Sequence, residues 1–287
     1  TCRIGVCIDS MFLLDQLGQA VGVGERDLLA VWVMVDNGYG RFGLEHDGPE
    51  VVRVAQAAAA WGGGVSLYTH GGLGYAASND DDRIRFAREE AAHMVFVGER
   101  LREAGTKVDN IGVGSTPTST VPASPLPPPA RGASSMGITE IHPGNYVYYD
   151  VMQASLNSAG EADIAGTVVT TVLSCYPVRE TCVVDAGALA LSLDRGATHR
   201  SRGQDTIGWG VVCDHPDLVV ASLSQEAAII RRRPGCSTPF SELFPRPGTR
   251  LHIYPHHSCL TAALFPRVVV RYHGNIIGEW PTFAREW

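Results

Sequence analysis

A chain of 287 residues with 45% apolar and 18% charged residues is long enough to bury a sizeable core, in one domain or two. Its net charge of −7 argues against broad binding to nucleic acid or anionic membranes, and no segment has the length and apolarity of a membrane span. Seven scattered cysteines do not form the pattern of a disulfide framework, so we expect a reducing, cytoplasmic setting.

The first half of the chain alternates short apolar runs with helical stretches, which is typical of βα units on a parallel sheet. A long helix is predicted over residues 82–104, because apolar residues recur on one face and Gly105 follows as a stop signal. Most of the predicted strands end in Gly, Asp or His, which favours a site at their carboxyl ends. Five strands are predicted, over residues 3–9, 31–36, 65–70, 110–114 and 139–146.

The second half has a different texture, with short β-branched runs separated by turns, which predicts an antiparallel β domain. The domains are expected to span residues 1–153 and 154–287. A stretch rich in proline and serine, residues 117–137, is predicted to be a loop that serves as a lid or spacer. The basic run 231–233 is interpreted as a solvated turn. Six β runs are predicted, over residues 167–174, 182–185, 208–212, 218–223, 250–254 and 268–273.

Two turns rich in glycine and hydroxyl groups follow predicted strands, GSTPT at 114–118 and HPGN at 142–145. Such turns present backbone N–H groups to phosphate, so together they favour a phosphate-bearing cofactor or substrate. The alternative is a pair of tight turns that need glycine. Arg41 adds a cation at a third strand end, or else is a surface arginine on a hydrogen-bonded turn.

His257 and Cys259 lie two residues apart in the run LHIYPHHSCLTAALFPR. On an extended segment, two such side chains project from the same face, and both are strong zinc ligands. Two ligands without obvious partners indicate half of a zinc site, with the metal left open to water or substrate. The alternative is an ordinary polar residue beside a buried thiol.

Seven motifs, in order, together resemble one enzyme family: VDNGYGRFG, LYTHGG, GSTPT, EIHPGNYVYYD, VVDAGALALS, SLSQE and IYPHHSCLTAALF. They are similar to the D-serine dehydratase and D-threonine aldolase group of pyridoxal-phosphate enzymes, relatives of alanine racemase. The resemblance implies an α/β barrel of eight strands followed by a β domain, usually in a homodimer. The five predicted strands would then be the last five βα units of a partial (β/α)8 TIM-type barrel.

The resemblance also implies roles for particular residues around pyridoxal phosphate and a divalent metal. His142 stands where many relatives have arginine, and Tyr146 completes that motif, so both are expected near the ring nitrogen. Arg41 matches the arginine near the phenolic oxygen, and His70 the histidine placed against the ring. The remaining matches are phosphate-binding residues, Ser115, Thr116, Gly144 and Asn145, and metal ligands, His257 and Cys259.

A His and Cys pair is similar to the dehydratases, whereas the aldolases tend to have a carboxylate at the second position. The resemblance therefore implies a zinc-dependent D-serine dehydratase that converts a small D-amino acid, D-serine, to pyruvate and ammonia. The alternative within the family is a D-threonine aldolase type of lyase. A metal-dependent hydrolase that uses the same two residues with water is a third possibility, from another class.

Two departures from the family bear on activity. The Schiff-base lysine expected of the family is absent, since the single lysine, Lys107, precedes a predicted strand at the end away from the site. In SLSQEAA, Ala227 and Ala228 stand where relatives commonly have His and Gly. We therefore expect this chain to be inactive by itself, either as a portion of a longer lyase or as a catalytically silent relative that still binds metal or phosphate.

Overall fold

The computed structural model describes residues 3–62, 64–121, 137–194 and 208–282. The chain divides into two compact units, Thr1–Gly144 and Asn145–Trp287. The sequence placed the boundary later, after residue 153, but the intervening residues bond within the second unit. Asp150, for example, accepts hydrogen bonds from Asn145 and Ser258.

The first unit is an α/β structure whose sheet has the order β1-β2-β4-β5-β6, all in parallel register, with β3 paired to β2. The α/β class and the five parallel strands are confirmed, and their place in an eight-stranded barrel stays a prediction. Its strands are β1 Ile4–Ile8, β2 Leu29–Asp36, β3 Leu44–Glu45, β4 Val65–Tyr68, β5 Val108–Val113 and β6 Glu140–Ile141; its helices are α1 Met11–Ala20, α2 Glu50–Gly62, α3 Asp80–Glu103 and α4 Thr116–Ser119.

Helices α2 and α3 pack on the sheet through apolar faces with helical spacing. Met94, Val97 and Leu101 of α3 are fully buried together with Leu67 and Ile111 of the sheet. Each such side chain contributes about 1.5–3 kcal/mol relative to an exposed one. This packing fixes the strands, so the turns at their carboxyl ends start from rigid positions.

Recognisable signals mark both the start and the end of α3. The Asn79 side chain accepts a hydrogen bond from the backbone N–H of Asp82 at 2.8 Å and caps the first turn. Gly105 follows the last turn with φ +78°, a left-handed conformation that glycine adopts without strain. The predicted helix over 82–104 is therefore confirmed, with a start two residues earlier.

The second unit is an antiparallel β structure, as predicted, whose main sheet closes into a six-stranded barrel of order β10-β11-β8-β7-β12-β9. A separate two-stranded sheet, β13-β14, follows it. The strands are β7 Val168–Tyr176, β8 Thr181–Val184, β9 Gly210–Val212, β10 His215–Leu223, β11 Ala228–Arg232, β12 Arg250–Pro255, β13 Arg267–Tyr272 and β14 Asn275–Pro281. The helices are α5 Val151–Ser155, α6 Ala188–Leu191, α7 Phe240–Leu243 and α8 Ser258–Ala262.

Short 3-10 helices connect these elements at Val23–Leu28, Gly72–Ala76, Asn145–Val147, Glu161–Asp163 and Pro177–Arg179. None of the helices in the described part of the chain is long and apolar enough to cross a membrane.

Two sequence-based interpretations were wrong in detail. The basic run is not a solvated turn, because Arg231 and Arg232 belong to β11, where Ile230 is fully buried and the Arg232 guanidinium pairs with Glu180 at 2.5 Å. The fifth strand is shorter than predicted, since β6 ends at Ile141 before Pro143, which has no N–H to donate to a ladder. Most of the predicted proline-rich loop, residues 122–136, lies outside the described residues.

Candidate functional site

In the first unit, a small cavity of about 10 Å³ lies beside the carboxyl ends of β2 and β4. The Asp36 carboxylate accepts hydrogen bonds from the N–H groups of Gly38 and Gly40, at 3.0 and 3.1 Å, and so folds the turn that carries Arg41. Arg41 and His70 both line this cavity. The structure therefore brings together two residues that the sequence singled out at different strand ends.

The His70 imidazole lies next to an aromatic ring and a cation, with its ring centre 5.9 Å from that of Tyr39. Burial, and secondarily the charge of Arg41, lower the pKa of His70 to about 4. The imidazole is consequently neutral at neutral pH. A neutral, half-buried ring of this kind suits contact with another flat ring.

The turn after β5 presents two buried hydroxyl residues. The Ser115 hydroxyl donates a hydrogen bond to the carbonyl of Gly71 at 2.7 Å, and the Ser115 N–H donates to the Thr118 hydroxyl at 3.0 Å. Thr116 is fully buried at the start of α4, yet its hydroxyl has no hydrogen-bond partner among the described residues. A buried polar atom left without a partner costs free energy, which is recovered if a ligand bonds to it.

Beneath this turn lies a buried carboxylate, that of Glu90 on α3, which accepts a hydrogen bond from the Gly114 N–H. Burial raises the pKa of Glu90 to about 7, against the opposing effect of its hydrogen bonds with Gly114 and Thr118. A Cβ at Gly71 would lie 2.5 Å from both Glu90 Oε2 and Thr118 Oγ1, so glycine is needed there.

His142 packs against two aromatic rings of the same unit. Its ring centre lies 4.7 Å from that of Tyr68 and 5.9 Å from that of Trp32, and the Glu140 carboxylate is 3.4 Å from its Nε2. A Cβ at Gly112 would come within 2.6 Å of the same nitrogen, so this strand glycine makes room for the imidazole. Nothing lies within 4 Å of where a Cβ of Gly144 would be, so its backbone is open to approach.

In the second unit, Asn145 is almost fully buried, while its neighbour Tyr146 is 51% exposed. The Asn145 amide donates hydrogen bonds to the carboxylate of Asp150 at 2.6 Å and to the hydroxyl of Ser258 at 3.2 Å. The same nitrogen lies 3.4 Å from the Cys259 sulfur. Within this unit, the structure thus brings Asn145, one of the residues predicted to bind phosphate, next to the predicted metal pair.

His257 is the N-cap residue of α8, and Cys259 lies in the first turn of that helix. Burial on its own lowers the pKa of His257, but hydrogen bonds with Cys259 and Asp194 outweigh burial and raise that pKa to about 9. Burial likewise raises the pKa of the Cys259 thiol, but the hydrogen bond and charge of His257 outweigh it and leave the pKa below its usual value. The pair therefore favours an imidazolium beside a thiolate.

A thiolate and an imidazole are the donors that zinc prefers, so the chemistry of this pair fits that metal. No group of three or more His, Cys, Asp or Glu side chains in the described ranges has the arrangement of a metal site. The described residues would thus supply two ligands. Asp194 hydrogen-bonds to His257 Nδ1, the arrangement by which carboxylates orient ligating histidines.

Lys107 lies at the opposite end of β5 from Ser115. It precedes β5, is 71% exposed and pairs with Asp109 at 2.6 Å. Ser115 follows the other end of the same strand. Six strand residues at about 3.3 Å each put the two ends roughly 20 Å apart.

Three buried or half-buried carboxylates were missed by the sequence analysis: Glu90, Asp150 and Asp194. Asp150 ends the motif EIHPGNYVYYD, so its position in that motif was a usable sign. The segment SLSQEAA forms a turn in which the Ser224 N–H bonds to the Ala227 carbonyl at 2.8 Å, and Ala228 begins β11 fully buried. A histidine is thus absent at a position where the chain enters the barrel core.

Comparisons with known proteins agree with this picture. The family model for a putative serine dehydratase domain matches residues 165–271. A D-serine dehydratase from Dictyostelium discoideum is 38% identical over 200 residues, which are 69% of this chain and 48% of that protein. The chain thus spans about half the length of that relative. A D-threo-3-hydroxyaspartate dehydratase from a Delftia species is 31% identical over 275 residues, covering 92% of this chain and 68% of that protein.

A solved structure of the Delftia dehydratase superposes with a TM-score of 0.81 at 29% identity, covering 96% of this chain and 71% of that one. Other structures of that enzyme include a cysteine-to-alanine mutant described as metal-free and a mutant with alanine in place of a histidine two positions earlier. That spacing is the one between His257 and Cys259. On its sequence and its fold, this chain belongs to the family of D-serine dehydratase and D-threo-3-hydroxyaspartate dehydratase.

Proposed function

We propose that this chain carries the cofactor-binding and metal-binding elements of a dehydratase for small D-amino acids with a β-hydroxyl group. D-Serine is the first candidate substrate, and pyridoxal phosphate and zinc are the groups that the residues fit. The observation that carries the proposal is the His257–Cys259 pair, whose mutual hydrogen bond favours a thiolate beside the imidazole. Binding of zinc would displace a proton from that pair and keep both donors.

Pyridoxal phosphate, when bound, supplies an electron sink for the electron pair left at the substrate α-carbon. In the first unit, the unpartnered hydroxyl of Thr116 and the open backbone at Gly144 fit a phosphate group, and we assign Ser115 to shaping that turn. Arg41 and His70 line one cavity and fit the phenolic oxygen and the ring face. We assign Asn145 to the phosphate, and His142 and Tyr146 to the side of the ring nitrogen.

Zinc supplies a Lewis acid that makes a hydroxyl group a better leaving group. Two protein ligands would leave coordination positions for the substrate, which suits a catalytic site and not a structural one. His257 and Cys259 hold the metal in this proposal, while Asp194 keeps the imidazole oriented through Nδ1.

Lys107 is excluded as the Schiff-base residue by its exposure and by its place at the far end of β5. No lysine within these 287 residues is then available for that role. We therefore propose that the 287 residues bind both groups without turnover, and that a lysine from outside them completes the reaction. The alternative is a catalytically silent relative, which the position of Lys107 fits equally well.

The test is an assay of the purified chain with added pyridoxal phosphate and zinc, using D-serine, D-threo-3-hydroxyaspartate and D-threonine in parallel. The same assay is repeated on the chain extended by whatever coding sequence precedes Thr1. We expect both groups to bind the 287 residues, without keto acid formation, and ammonia with pyruvate from D-serine once the extension is present. Borohydride reduction should fix the cofactor to the extended chain alone.

Each other outcome excludes part of the proposal. Glycine and an aldehyde from D-threonine would identify an aldolase, and a keto acid from hydroxyaspartate alone would replace D-serine as the substrate, in line with the Delftia relative. Pyruvate from the 287 residues themselves would overturn the exclusion of Lys107. Failure of both chains to bind zinc would overturn the metal assignment.

A further inference from the structure

Asp150 is a fully buried carboxylate at the point where two segments of the second unit meet. It is the N-cap residue of α5, and its Oδ1 accepts a hydrogen bond from the Gln153 N–H at 2.8 Å. Its Oδ2 accepts from the Ser258 N–H at 2.8 Å and from the Ser258 hydroxyl at 3.2 Å. The Asn145 amide donates to the same oxygen at 2.6 Å.

All four donors to Asp150 are neutral, and three of them belong to residues next to the predicted site. Ser258 lies between His257 and Cys259 in the chain. The hydrogen bond from its N–H to Asp150 therefore holds the backbone from which both of these side chains project. Asn145, held by the same carboxylate oxygen, lies 3.4 Å from the Cys259 sulfur. The Asp150 carboxylate thus holds both the backbone between His257 and Cys259 and the Asn145 amide next to the Cys259 sulfur.

A backbone contact supports the same junction, because the Met152 N–H donates to the His256 carbonyl at 3.1 Å. This hydrogen bond therefore joins the start of α5, just after Asp150, to the residue that follows β12. A carboxylate accepts at both oxygens, whereas an amide in the same place would present N–H groups to other donors. Both terminal atoms of the side chain at position 150 must accept hydrogen bonds, and among side chains of this length only Asp has two acceptor oxygens.

We infer that Asp150 is a positioning residue for the metal site, which holds Ser258 and Asn145 so that His257 and Cys259 present their ligand atoms at one fixed separation. Asp150 does not touch the metal in this role. The inference rests on the proposed function, since it presupposes that the pair binds zinc. Partners that orient metal ligands typically contribute 10–100-fold to metal affinity.

The experiment measures the zinc affinity of the purified wild-type chain, Asp150→Asn and Asp185→Asn by competition with a chromogenic chelator. Asp185 is the matched control, a carboxylate of the same unit that accepts from the Thr170 hydroxyl at 2.6 Å and the Thr171 N–H at 2.7 Å. We expect Asp150→Asn to weaken zinc binding roughly 10–100-fold and Asp185→Asn to leave it within about twofold.

A second readout separates positioning from loss of a ligand. Cobalt(II) in place of zinc gives a charge-transfer absorption when a thiolate is bound to it, so Asp150→Asn should keep that band at saturating cobalt, with altered visible bands. If Asp150→Asn does not fold, Ser258→Ala removes one of the bonds to Asp150 and should weaken zinc about fivefold, as expected for one hydrogen bond of about 1 kcal/mol.

The outcomes are distinguishable. Wild-type affinity in folded Asp150→Asn, or in Ser258→Ala where the first variant fails to fold, would overturn the inference alone. An equal loss in Asp185→Asn would also overturn it, since the effect would then be a general destabilisation of the unit. Absence of zinc binding by the wild-type chain would overturn the proposed metal site and the inference together.

Discussion

The pKa values of key side chains shift toward the neutral form in the first unit and toward the charged form in the second. In the first unit, burial moves His70 and Glu90 toward their neutral forms, with the pKa of His70 lowered to about 4 and that of Glu90 raised to about 7. In the second unit, His257 is half-buried and Cys259 is exposed, and their pKa values move toward the charged forms. The difference lies in the partner, because each member of the second pair has an opposite charge beside it.

This contrast matches what each unit is proposed to bind. A neutral imidazole and a carboxyl that is only partly ionised at neutral pH suit a region that takes a flat ring and an anionic phosphate, where a fully ionised carboxylate would repel the ligand. An imidazolium and a thiolate form a pair that exchanges one proton for a cation. Burial therefore favours neutral side chains where a flat ring and a phosphate are proposed to bind, and a charged partner favours the ionised pair where a metal is proposed to bind.

Removing the thiolate of the second unit should have the largest effect. Cys259→Ala takes away one of two protein ligands, so we expect zinc affinity to fall more than 100-fold, beyond the 10–100-fold that outer partners contribute. The loss corresponds to more than about 2.7 kcal/mol of binding free energy. Competition with a chromogenic chelator measures it.

The matched control is Cys236→Ala, which removes a half-buried free thiol from the same unit. Zinc affinity should then stay at the wild-type value. Tight zinc binding by Cys259→Ala would show that the ion sits elsewhere, and the contrast between the two units would lose its functional meaning.

The buried carboxyl of Glu90 in the first unit gives the next largest effect, which is on stability. The folded-state pKa of Glu90 is raised from 4.5 to about 7, so the unfolded chain releases this proton at lower pH than the folded one. Stability from this group is therefore present at low pH and lost as pH rises through about 7. Linkage gives a loss of about 2 kcal/mol between pH 5.5 and pH 8.

Glu90→Gln should remove that part of the pH dependence, because the amide oxygen still accepts from Gly114 and no charge can form. Urea unfolding at the two pH values measures the difference. Glu89→Gln is the control on the same helix, since Glu89 is 47% exposed and pairs with Arg85 at 3.4 Å. If Glu90→Gln and the wild type lose equal stability with pH, the pKa of the Glu90 carboxyl is not raised in the folded protein.

The sequence predicted the secondary structure of the two units better than it predicted the ionisation of their side chains. The run VWVMVD, residues 31–36, predicts a strand from its apolar residues, and β2 contains it with two further residues at its start. Strand β11 was not predicted because AIIRR ends in two cations, of which only Arg231 is exposed, while its buried side is formed by Ala228 and Ile230. Local pattern identifies a strand only where its faces differ or are both apolar.

The site was predicted in part, for a related reason. His257 and Cys259 are neighbours in sequence and carry their own pattern, so they were found. Glu90 is one of many charged residues in α3, and its burial depends on Gly114, 24 positions away. Asp194 meets His257 across 63 positions. Groups whose ionisation is set by distant partners leave no local trace in the sequence.

Thr116 in the first unit provides the smallest and most selective test. Its buried hydroxyl has no partner among the described residues, so Thr116→Val, which keeps the shape, should leave the ligand-free protein unchanged or more stable by up to about 1 kcal/mol. Binding of pyridoxal phosphate should weaken about tenfold, because a hydrogen bond to a charged phosphate is lost. The two effects have opposite signs, which a general loss of structure cannot produce.

Thr116→Ser serves as the control, since it keeps the hydroxyl and removes only a methyl group, and its cofactor affinity should stay near that of the wild type. Affinity is measured by the absorbance change on titration with pyridoxal phosphate, and stability by thermal unfolding without it. Equal affinity in Thr116→Val and wild type would mean that the turn after β5 does not bind the phosphate. The neutral groups of the first unit would then need another explanation than an anionic ligand.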